Sequence, residues 1–231
     1  MMEPVVELRD VVRRHPGAPP VESLRGVSFR IEPGELLAVV GPSGSGKTTL
    51  LHIVGTLDRA SAGTVRIAGV DITRMSDRAI SGFRAARLGF VFQQFFLIEG
   101  MSVLDNVAAG LLYRGVDART RRRLAAATLE RVGLGHRLTH RPAQLSGGER
   151  QRTAIARSVV GRPALVLADE PTGNLDSASG AEIIALLKDL NRDGTTIAVV
   201  THNPELAAAM DRRVELRDGR IERDSGAAPA A

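Results

Sequence analysis

The sequence lacks cysteine, long apolar runs and, almost entirely, lysine. Without cysteine no disulfide framework can form, which is typical of proteins in a reducing compartment. No apolar run approaches the roughly 18 residues that a transmembrane helix needs. The first residues also lack the basic and apolar stretches of a secretory signal. We therefore expect one domain without a membrane span or a signal peptide.

The scarcity of lysine makes one lysine informative. The net charge of +5 rests on arginine, since Lys47 and Lys188 are the only lysines in the chain. An ammonium group is compact, whereas a guanidinium group is a broad plane, so Lys47 within a glycine loop indicates a position that needs a point charge. The net charge alone is compatible with nucleic acid or an anionic membrane surface as partner, but an arginine-rich soluble protein explains it better.

Short apolar runs alternate with helical patterns, which predicts an α/β fold. Strands are predicted over 5–8, 27–31, 36–40, 64–68, 88–92, 165–168 and 195–200, with a terminal hairpin at 213–216 and 220–222. Helices are predicted over 47–57, 103–112, 118–132, 149–160 and 178–190. Because the strand signal fades between the two halves, we predict a single domain over 1–224, with a core at about 1–93 and 161–224, a helical subdomain at about 94–160 and a disordered tail at 225–231.

A glycine loop follows the apolar run 36–40, and its spacing G-x-x-x-x-G-K-T is that of a P-loop. Glycines allow successive backbone N–H groups to face one concavity, and the start of the next helix adds its positive dipole end. Lys47 can then reach the β- and γ-phosphates of a nucleotide, and the Thr48 hydroxyl can ligate Mg²⁺. An ordinary Gly/Ser-rich turn explains this pattern less well, because a buried strand precedes it and a helix follows.

Polar residues follow several predicted strands. Asp169 and Glu170 end the strand 165–168, Gln93 follows 88–92, and His202 follows 195–200. In an open parallel sheet, ligands bind beyond the carboxyl ends of the strands. Asp169 could hold Mg²⁺ and Glu170 could orient or deprotonate a water molecule, although solvated strand ends also carry acids. The sequence therefore predicts one polar site at this edge.

A second glycine motif, Leu-Ser-Gly-Gly-Glu at 145–149, opens a helix. Ser146 and Glu149 have the spacing of a capping box, so the motif can be an ordinary helix start. The two glycines also leave the helix N-terminus bare of side chains, which favours anion binding.

Together these motifs resemble the ATP-binding subunits of ABC transporters over almost the whole chain, up to about residue 222. The motifs stand in the family's order: the loop 41–48, Gln93, the motif 145–149, Asp169 with Glu170, Asp176 and His202. The resemblance implies a P-loop NTPase fold of the α/β class, with a mostly parallel core sheet, an N-terminal antiparallel β-subdomain and a helical insertion. It also implies ATP and Mg²⁺ as cofactors, and a second copy of the chain that pairs head to tail around them.

The resemblance also implies residue roles. Nucleotide binding is expected from Gly41, Pro42, Ser43, Gly44, Ser45, Gly46, Lys47, Thr48, Thr49 and His15; Mg²⁺ binding from Thr48, Gln93 and Asp169; and catalysis from Glu170, His202 and Gln93. Ser146, Gly147, Gly148 and Glu149 are expected to contact the ATP of the partner copy, and Asp176 to lie on a loop that crosses the interface. Gln94 is a weaker candidate than Gln93. His15 stands where many members carry an adenine-stacking tyrosine, so base binding is expected to differ here.

Subgroup motifs, such as Gly173-Asn174 before Leu175, resemble the lipoprotein-releasing, macrolide-exporting and cell-division ATPases. This implies an integral membrane permease as partner, no nucleic acid partner, and a peripheral location on the cytoplasmic face of a bacterial-type plasma membrane. The apolar group 95–98 is expected to contact the permease or to pack inside the helical insertion, and the arginine run 119–123 to be a solvated helix start or a lipid contact. The alternatives are a soluble ATPase acting on ribosomes or DNA, and a regulatory ATPase that signals by dimerisation.

Overall fold

The computed structural model describes residues 3–226. Its strands are β1 Val6–His15, β2 Val21–Ile31, β3 Leu36–Val40, β4 Ala62–Ile67, β5 Val70–Asp71, β6 Leu88–Val91, β7 Leu165–Asp169, β8 Ile197–Val200, β9 Arg212–Arg217 and β10 Arg220–Asp224. Its helices are α1 Lys47–Val54, α2 Asp77–Arg87, α3 Val103–Ala108, α4 Ala118–Arg131, α5 Gly147–Val159, α6 Ser177–Arg192 and α7 Pro204–Ala208. Within this part of the chain, no helix combines the length and the apolarity that crossing a bilayer requires.

The central sheet has six strands in the order β10-β9-β3-β8-β7-β6. All its neighbours pair in parallel except the hairpin β9–β10. The strands β3, β7 and β8 are almost wholly buried, as their continuous apolar runs predict. One face of the sheet packs against α1 and the second sheet, and the other against α5, α6 and α7. The predicted parallel core sheet and terminal hairpin are confirmed.

The second sheet is antiparallel, with the order β2-β1-β4-β5. Leu8 and Leu24 of this sheet pack in one hydrophobic core with Leu50 of α1 and Val200 of β8. The predicted antiparallel β-subdomain is confirmed. The strand β1 is ten residues long and extends beyond the predicted 5–8, because irregular pairing with β2 carries it through the polar residues Arg13 and Arg14.

The helices α3, α4 and α5 share a core of their own, which includes Val107, Leu129 and Ala156. We propose that residues 94–160 form a helical subdomain, and this separate core supports the division. Asp117 caps α4 by accepting a hydrogen bond from the backbone N–H of Thr120 at 3.0 Å. In the arginine run that follows, Arg119 and Arg123 are exposed, and Arg122 pairs with Asp105 at 2.9 Å.

The sequence did not predict two helices, α2 and α7. Helix α2 has Ile80 as its single buried residue, and four of its eleven residues are charged, so no apolar run marks it in the sequence. Helix α7 is only five residues long, although Asn203 caps it and Pro204 opens it. In the predicted tail, the backbone N–H of Ser225 donates to the Arg213 carbonyl oxygen, and the Ser225 hydroxyl accepts from the Arg213 N–H. Residues 227–231 lie outside the described part of the chain.

Candidate functional site

The loop between β3 and α1 needs its glycines. Gly41, Gly44 and Gly46 have φ angles of 151°, 78° and 103°, in the region that L side chains rarely adopt. A Cβ atom on Gly41 would lie 2.0 Å from the carbonyl oxygen of Leu216, and one on Gly46 would lie 2.4 Å from that of Ser23. Strands β9 and β2 thus press on the loop, which fixes its backbone at the start of α1.

Lys47 is the first residue of α1, and its ammonium turns back over the loop. Its Nζ atom donates hydrogen bonds to the carbonyl oxygens of Gly41 and Pro42, both at 2.8 Å. The loop, the carboxyl ends of β7 and β8 and Gln93 enclose a cleft of about 530 Å³. Of the nucleotide-binding, metal-binding and catalytic residues expected from the sequence, these line the cleft: Ser43, Gly44, Ser45, Gly46, Lys47, Thr48, Thr49, Gln93, Asp169, Glu170 and His202. The predicted convergence at one edge of the sheet is therefore observed.

Glu170 follows β7 with a left-handed φ of 45°, which turns its side chain toward β8. Its Oε2 atom accepts a hydrogen bond from the Thr201 hydroxyl at 2.8 Å, and its Oε1 atom accepts one from the backbone N–H of His202 at 2.7 Å. The Nδ1 atom of His202 lies 2.5 Å from the same Oε1. The Glu170 side chain is only 15% exposed and that of His202 is 78% exposed, so a fixed carboxylate lies beneath a solvent-facing imidazole.

Asp169 is the last residue of β7 and is half-buried. Burial raises the pKa of its carboxyl group, and the neighbouring negative charge of Glu170 raises it further. His52 and Lys47 act in the opposite direction on this pKa. Asp169 thus holds a desolvated negative charge that a cation would stabilise.

Gln93 follows β6 and is held by a residue 81 positions away. Its Nε2 atom donates to Oδ1 of Asn174 at 3.2 Å, and Nδ2 of Asn174 donates to the Gln93 carbonyl oxygen at 2.9 Å. Nearby, the buried Gln151 donates to the Pro171 carbonyl oxygen at 2.7 Å. The sequence singled out Asn174 only as part of family and subgroup motifs, because nothing along the chain shows this amide pair. Gln94 does not line the cleft.

His15 does not line the cleft. It ends β1, and its Nε2 atom lies 3.0 Å from the hydroxyl of Ser23, which does line the cleft. The sequence missed Ser23, since its position depends on the irregular register between β1 and β2. The expected base-stacking residue therefore reaches the cleft only through its neighbour.

The last four residues of the second glycine motif, referred to below as the motif 146–149, lie outside the cleft at the start of α5. Ser146 and Glu149 form the predicted capping box: Ser146 Oγ accepts from the Glu149 N–H at 3.2 Å, and Glu149 Oε2 accepts from the Ser146 N–H at 2.8 Å. Gly147 and Gly148 lie against Leu175 and Ser179, respectively. The structure thus places this motif beside the loop of Asp176 and not beside the glycine loop 41–48 of the same chain, which is called the phosphate loop below.

Asp176 caps α6. Its Oδ1 atom accepts a hydrogen bond from the backbone N–H of Ser179 at 2.9 Å, and its Oδ2 atom accepts one from the Ser179 hydroxyl at 2.8 Å. These hydrogen bonds lower the pKa of the exposed Asp176 carboxyl group. The carboxylate therefore carries a negative charge at the surface next to the motif 146–149.

Comparison with known proteins identifies the family. Residues 24–173 match the family described as ABC transporter. An uncharacterised ABC transporter ATP-binding protein of Thermotoga maritima is 50% identical over 222 residues, which cover 96% of this chain and 95% of that protein. A macrolide export ATP-binding/permease protein, MacB, of Chlorobium luteolum is 48% identical over 96% of this chain. The chain spans only 33% of the length of that protein.

Solved structures agree with this result. The ATP-binding cassette MJ0796, determined as a dimer in a post-hydrolysis state with ADP and Pi, superposes with a TM-score of 0.85. It is 39% identical, and the match covers 95% of this chain and 97% of that one. The glycine loop, the acids after β7 and the similarity over nearly the whole chain lead to one conclusion. This chain belongs to the ABC transporter family and is an ATP-binding cassette with ATPase activity.

Proposed function

We propose that this cassette hydrolyses ATP with Mg²⁺ as a head-to-tail homodimer, and that closure of the dimer drives a separate membrane permease. The observation that carries the proposal is the separation of two phosphate-binding elements within one chain. The cleft beside Lys47 does not include Ser146 or Gly148, so one copy supplies only half of an enclosed site. A second copy, turned head to tail, would place its motif 146–149 over the phosphates.

The residues of the cleft fit Mg²⁺. Magnesium prefers oxygen ligands, and Thr48, Gln93 and Asp169 supply hydroxyl, amide and carboxylate oxygens on the same wall. The raised pKa of Asp169 is a sign of a desolvated charge that a cation would relieve. When bound, Mg²⁺ would neutralise negative charge on the β- and γ-phosphates.

We assign the catalytic roles from the same geometry. Lys47 would exchange its two loop carbonyls for phosphate oxygens. Glu170 would orient or deprotonate the attacking water, because the hydrogen bonds from Thr201 and His202 fix its carboxylate at the edge of the cleft. The exposed imidazole of His202 would contact the γ-phosphate. Asp176 would meet the partner copy beside the motif 146–149.

Glu170→Gln tests the proposed mechanism. We expect the variant to bind ATP but to hydrolyse it at least about 10²-fold more slowly, because the water loses its base. ATP with Mg²⁺ should then hold the variant as a dimer in size-exclusion chromatography with light scattering. Lys47→Ala should instead weaken ATP binding itself.

The matched control for this experiment is Glu205→Gln, which changes an exposed carboxyl group on α7. This control should hydrolyse ATP at the rate of the parent protein. If Glu170→Gln also hydrolyses ATP at the parental rate, Glu170 is not the base.

The permease contact is proposed at a groove of about 670 Å³ between α2, β6 and the proposed helical subdomain 94–160. Phe90, Phe92, Phe96 and Tyr113 give it apolar walls, and Phe96 and Tyr113 are 60% and 84% exposed. Of the apolar group 95–98, only Phe96 lines this groove, where it packs edge-on against Phe92. Phe92 precedes Gln93, so a partner in the groove would press directly on the segment that reaches the ATP site.

The groove is also positively charged. Arg84, Arg114 and Arg157 line it and donate hydrogen bonds to backbone carbonyls, and no Asp or Glu of the described chain lines it. Arg157 and Arg114 are partly buried, and this burial lowers the pKa of both guanidinium groups. We therefore propose that the permease presents a short apolar segment with a carboxylate. The names of relatives support a permease of the export type, since MacB and the pyoverdine export protein PvdT of Pseudomonas putida are both called ATP-binding/permease proteins.

Arg84→Glu tests the permease contact. We expect it to reduce co-purification of the chain with a membrane permease from detergent extracts by about tenfold, since a like charge would face the permease carboxylate. The cassette's own ATP hydrolysis should continue. Arg78→Glu, on the same helix and outside the groove, is the matched control. Fractionation of the native chain with polysomes, or equal retention of both variants, would contradict the permease assignment.

A further inference from the structure

The motif 146–149 carries a negative charge where the proposed function needs to attract phosphate. Glu149 stands at the third position of α5, and its Oε2 atom lies 2.8 Å from the N–H of Ser146 at the start of the helix. A helix N-terminus attracts anions through its free N–H groups and its dipole. An unbalanced carboxylate at that position would repel the triphosphate of the partner's ATP.

Arg137 balances this charge. It ends a short 3₁₀ turn at Gly135–Arg137, and its Nε atom donates to Oε1 of Glu149 at 2.9 Å. The side chains of Arg137 and Glu149 are 33% and 20% exposed, so solvent screens the pair only partly. The Nη1 atom of Arg137 lies 3.0 Å from Nε2 of His140, which helps to fix the guanidinium group.

The two oxygens of Glu149 therefore have separate partners. Oε2 completes the capping box with Ser146, and Oε1 accepts from Arg137. The side-chain contacts of the guanidinium group are with Glu149 Oε1 and His140 Nε2. A glutamine at position 149 would preserve the capping box, since an amide oxygen also accepts from the N-cap N–H, but it would not need the arginine.

We propose that Arg137 is a positioning residue for ATP-driven dimerisation, which neutralises Glu149 so that the helix start of α5 accepts the phosphates of the partner copy's ATP. This inference rests on the proposed head-to-tail dimer. It predicts that the role of Arg137 depends on the charge of Glu149, whereas a purely structural role would not.

The experiment uses the Glu170→Gln protein as parent and measures the ATP concentration for half-maximal dimerisation by light scattering, with Mg²⁺ present. We expect Arg137→Met to raise this concentration about tenfold and Arg137→Lys, which keeps the charge, to raise it less. Glu149→Gln should lower it. The double variant Arg137→Met/Glu149→Gln should return to within about threefold of the parent, and added salt should shrink the defect of Arg137→Met.

The outcomes separate the two levels of the proposal. If the parent dimerises with ATP and Arg137→Met matches it, or if the double variant is as defective as Arg137→Met, the charge-balancing role is wrong. If the parent does not dimerise with ATP at all, the proposed dimer fails and this inference falls with it. Melting temperatures of the ATP-free proteins identify a folding defect, and Arg137→Gln serves in place of Arg137→Met if the latter does not fold.

Discussion

At the scale of single residues, the site is built from contacts between distant segments. Gln93 and Asn174 exchange two hydrogen bonds across 81 residues, and Gln151 ties the segments that precede them. Gly173 leaves the space that this amide pair needs. A Cβ atom there would lie 2.9 Å from Nε2 of Gln93, at the end of a flexible side chain. The Gln93–Asn174 pair therefore links the amide of Gln93 to the backbone segment that follows Glu170.

Gly173→Ala should displace the Gln93 amide without unfolding the chain, because the side chain rather than the backbone can give way. We expect ATP hydrolysis to fall about tenfold while the free energy of unfolding changes by less than about 1 kcal/mol. Steady-state kinetics and urea unfolding measure the two effects. Gly100→Ala is the control, since its Cβ would meet nothing within 4 Å. Loss of activity in both variants would show that the contact with Gln93 is not the cause.

At the scale of elements, the sequence predicts buried strands and glycine loops well and predicts partly exposed helices poorly. The strands β3, β7 and β8 are continuous apolar runs, so both their existence and their burial can be read from the sequence. Helix α2 buries only Ile80 and gives no comparable pattern. The positions of Ser23 and Asn174 depend on strand register and on loop packing, respectively, which local patterns do not encode.

One arginine links the two strands at the edge of the core sheet to the turn before β3. Arg212 of β9 donates to both carboxylate oxygens of Asp224 on β10, at 2.8 and 2.6 Å, and to Oε2 of Glu35 at 2.8 Å. Its side chain is 12% exposed and that of Asp224 is 11% exposed. Removing the guanidinium would leave two carboxylates close together with little solvent. This charge links the hairpin to the turn before β3, in addition to the pairing of β9 with β3.

Arg212→Met should lower the free energy of unfolding by about 3 kcal/mol, because Asp224 and Glu35, both poorly exposed, lose the cation that they share and then repel each other. Arg217→Met, on the same strand, is the matched control. Its pair with Glu222 at 3.3 Å is 63% and 55% exposed, so we expect a loss of less than about 1 kcal/mol. Urea unfolding followed by circular dichroism measures both. Equal losses in the two variants would contradict the importance of burial here.

At the scale of the whole molecule, the glycine loop 41–48 and the motif 146–149 lie apart within one chain. Lys47 lines the cleft, whereas Ser146 lies at the exposed start of α5 beside Leu175 and the loop of Asp176. A chain that hydrolysed ATP alone would not need the second element. The proposed dimer therefore makes each active site depend on two different copies, and this dependence can be measured by mixing variants.

Lys47→Ala should inactivate the phosphate loop, and Ser146→Arg should block the opposing helix start; each protein alone should be inactive. In a head-to-tail dimer of the two variants, one site combines the intact loop of one copy with the intact motif of the other. Because half of the dimers in an equal mixture are mixed and each has one intact site, we expect about a quarter of the parental ATP hydrolysis if the sites act independently. Ser146→Ala, which removes the cap without blocking the site, controls for local unfolding of α5. Parental activity of Ser146→Arg alone would contradict the composite site, and a mixture no more active than its components would contradict independent head-to-tail sites.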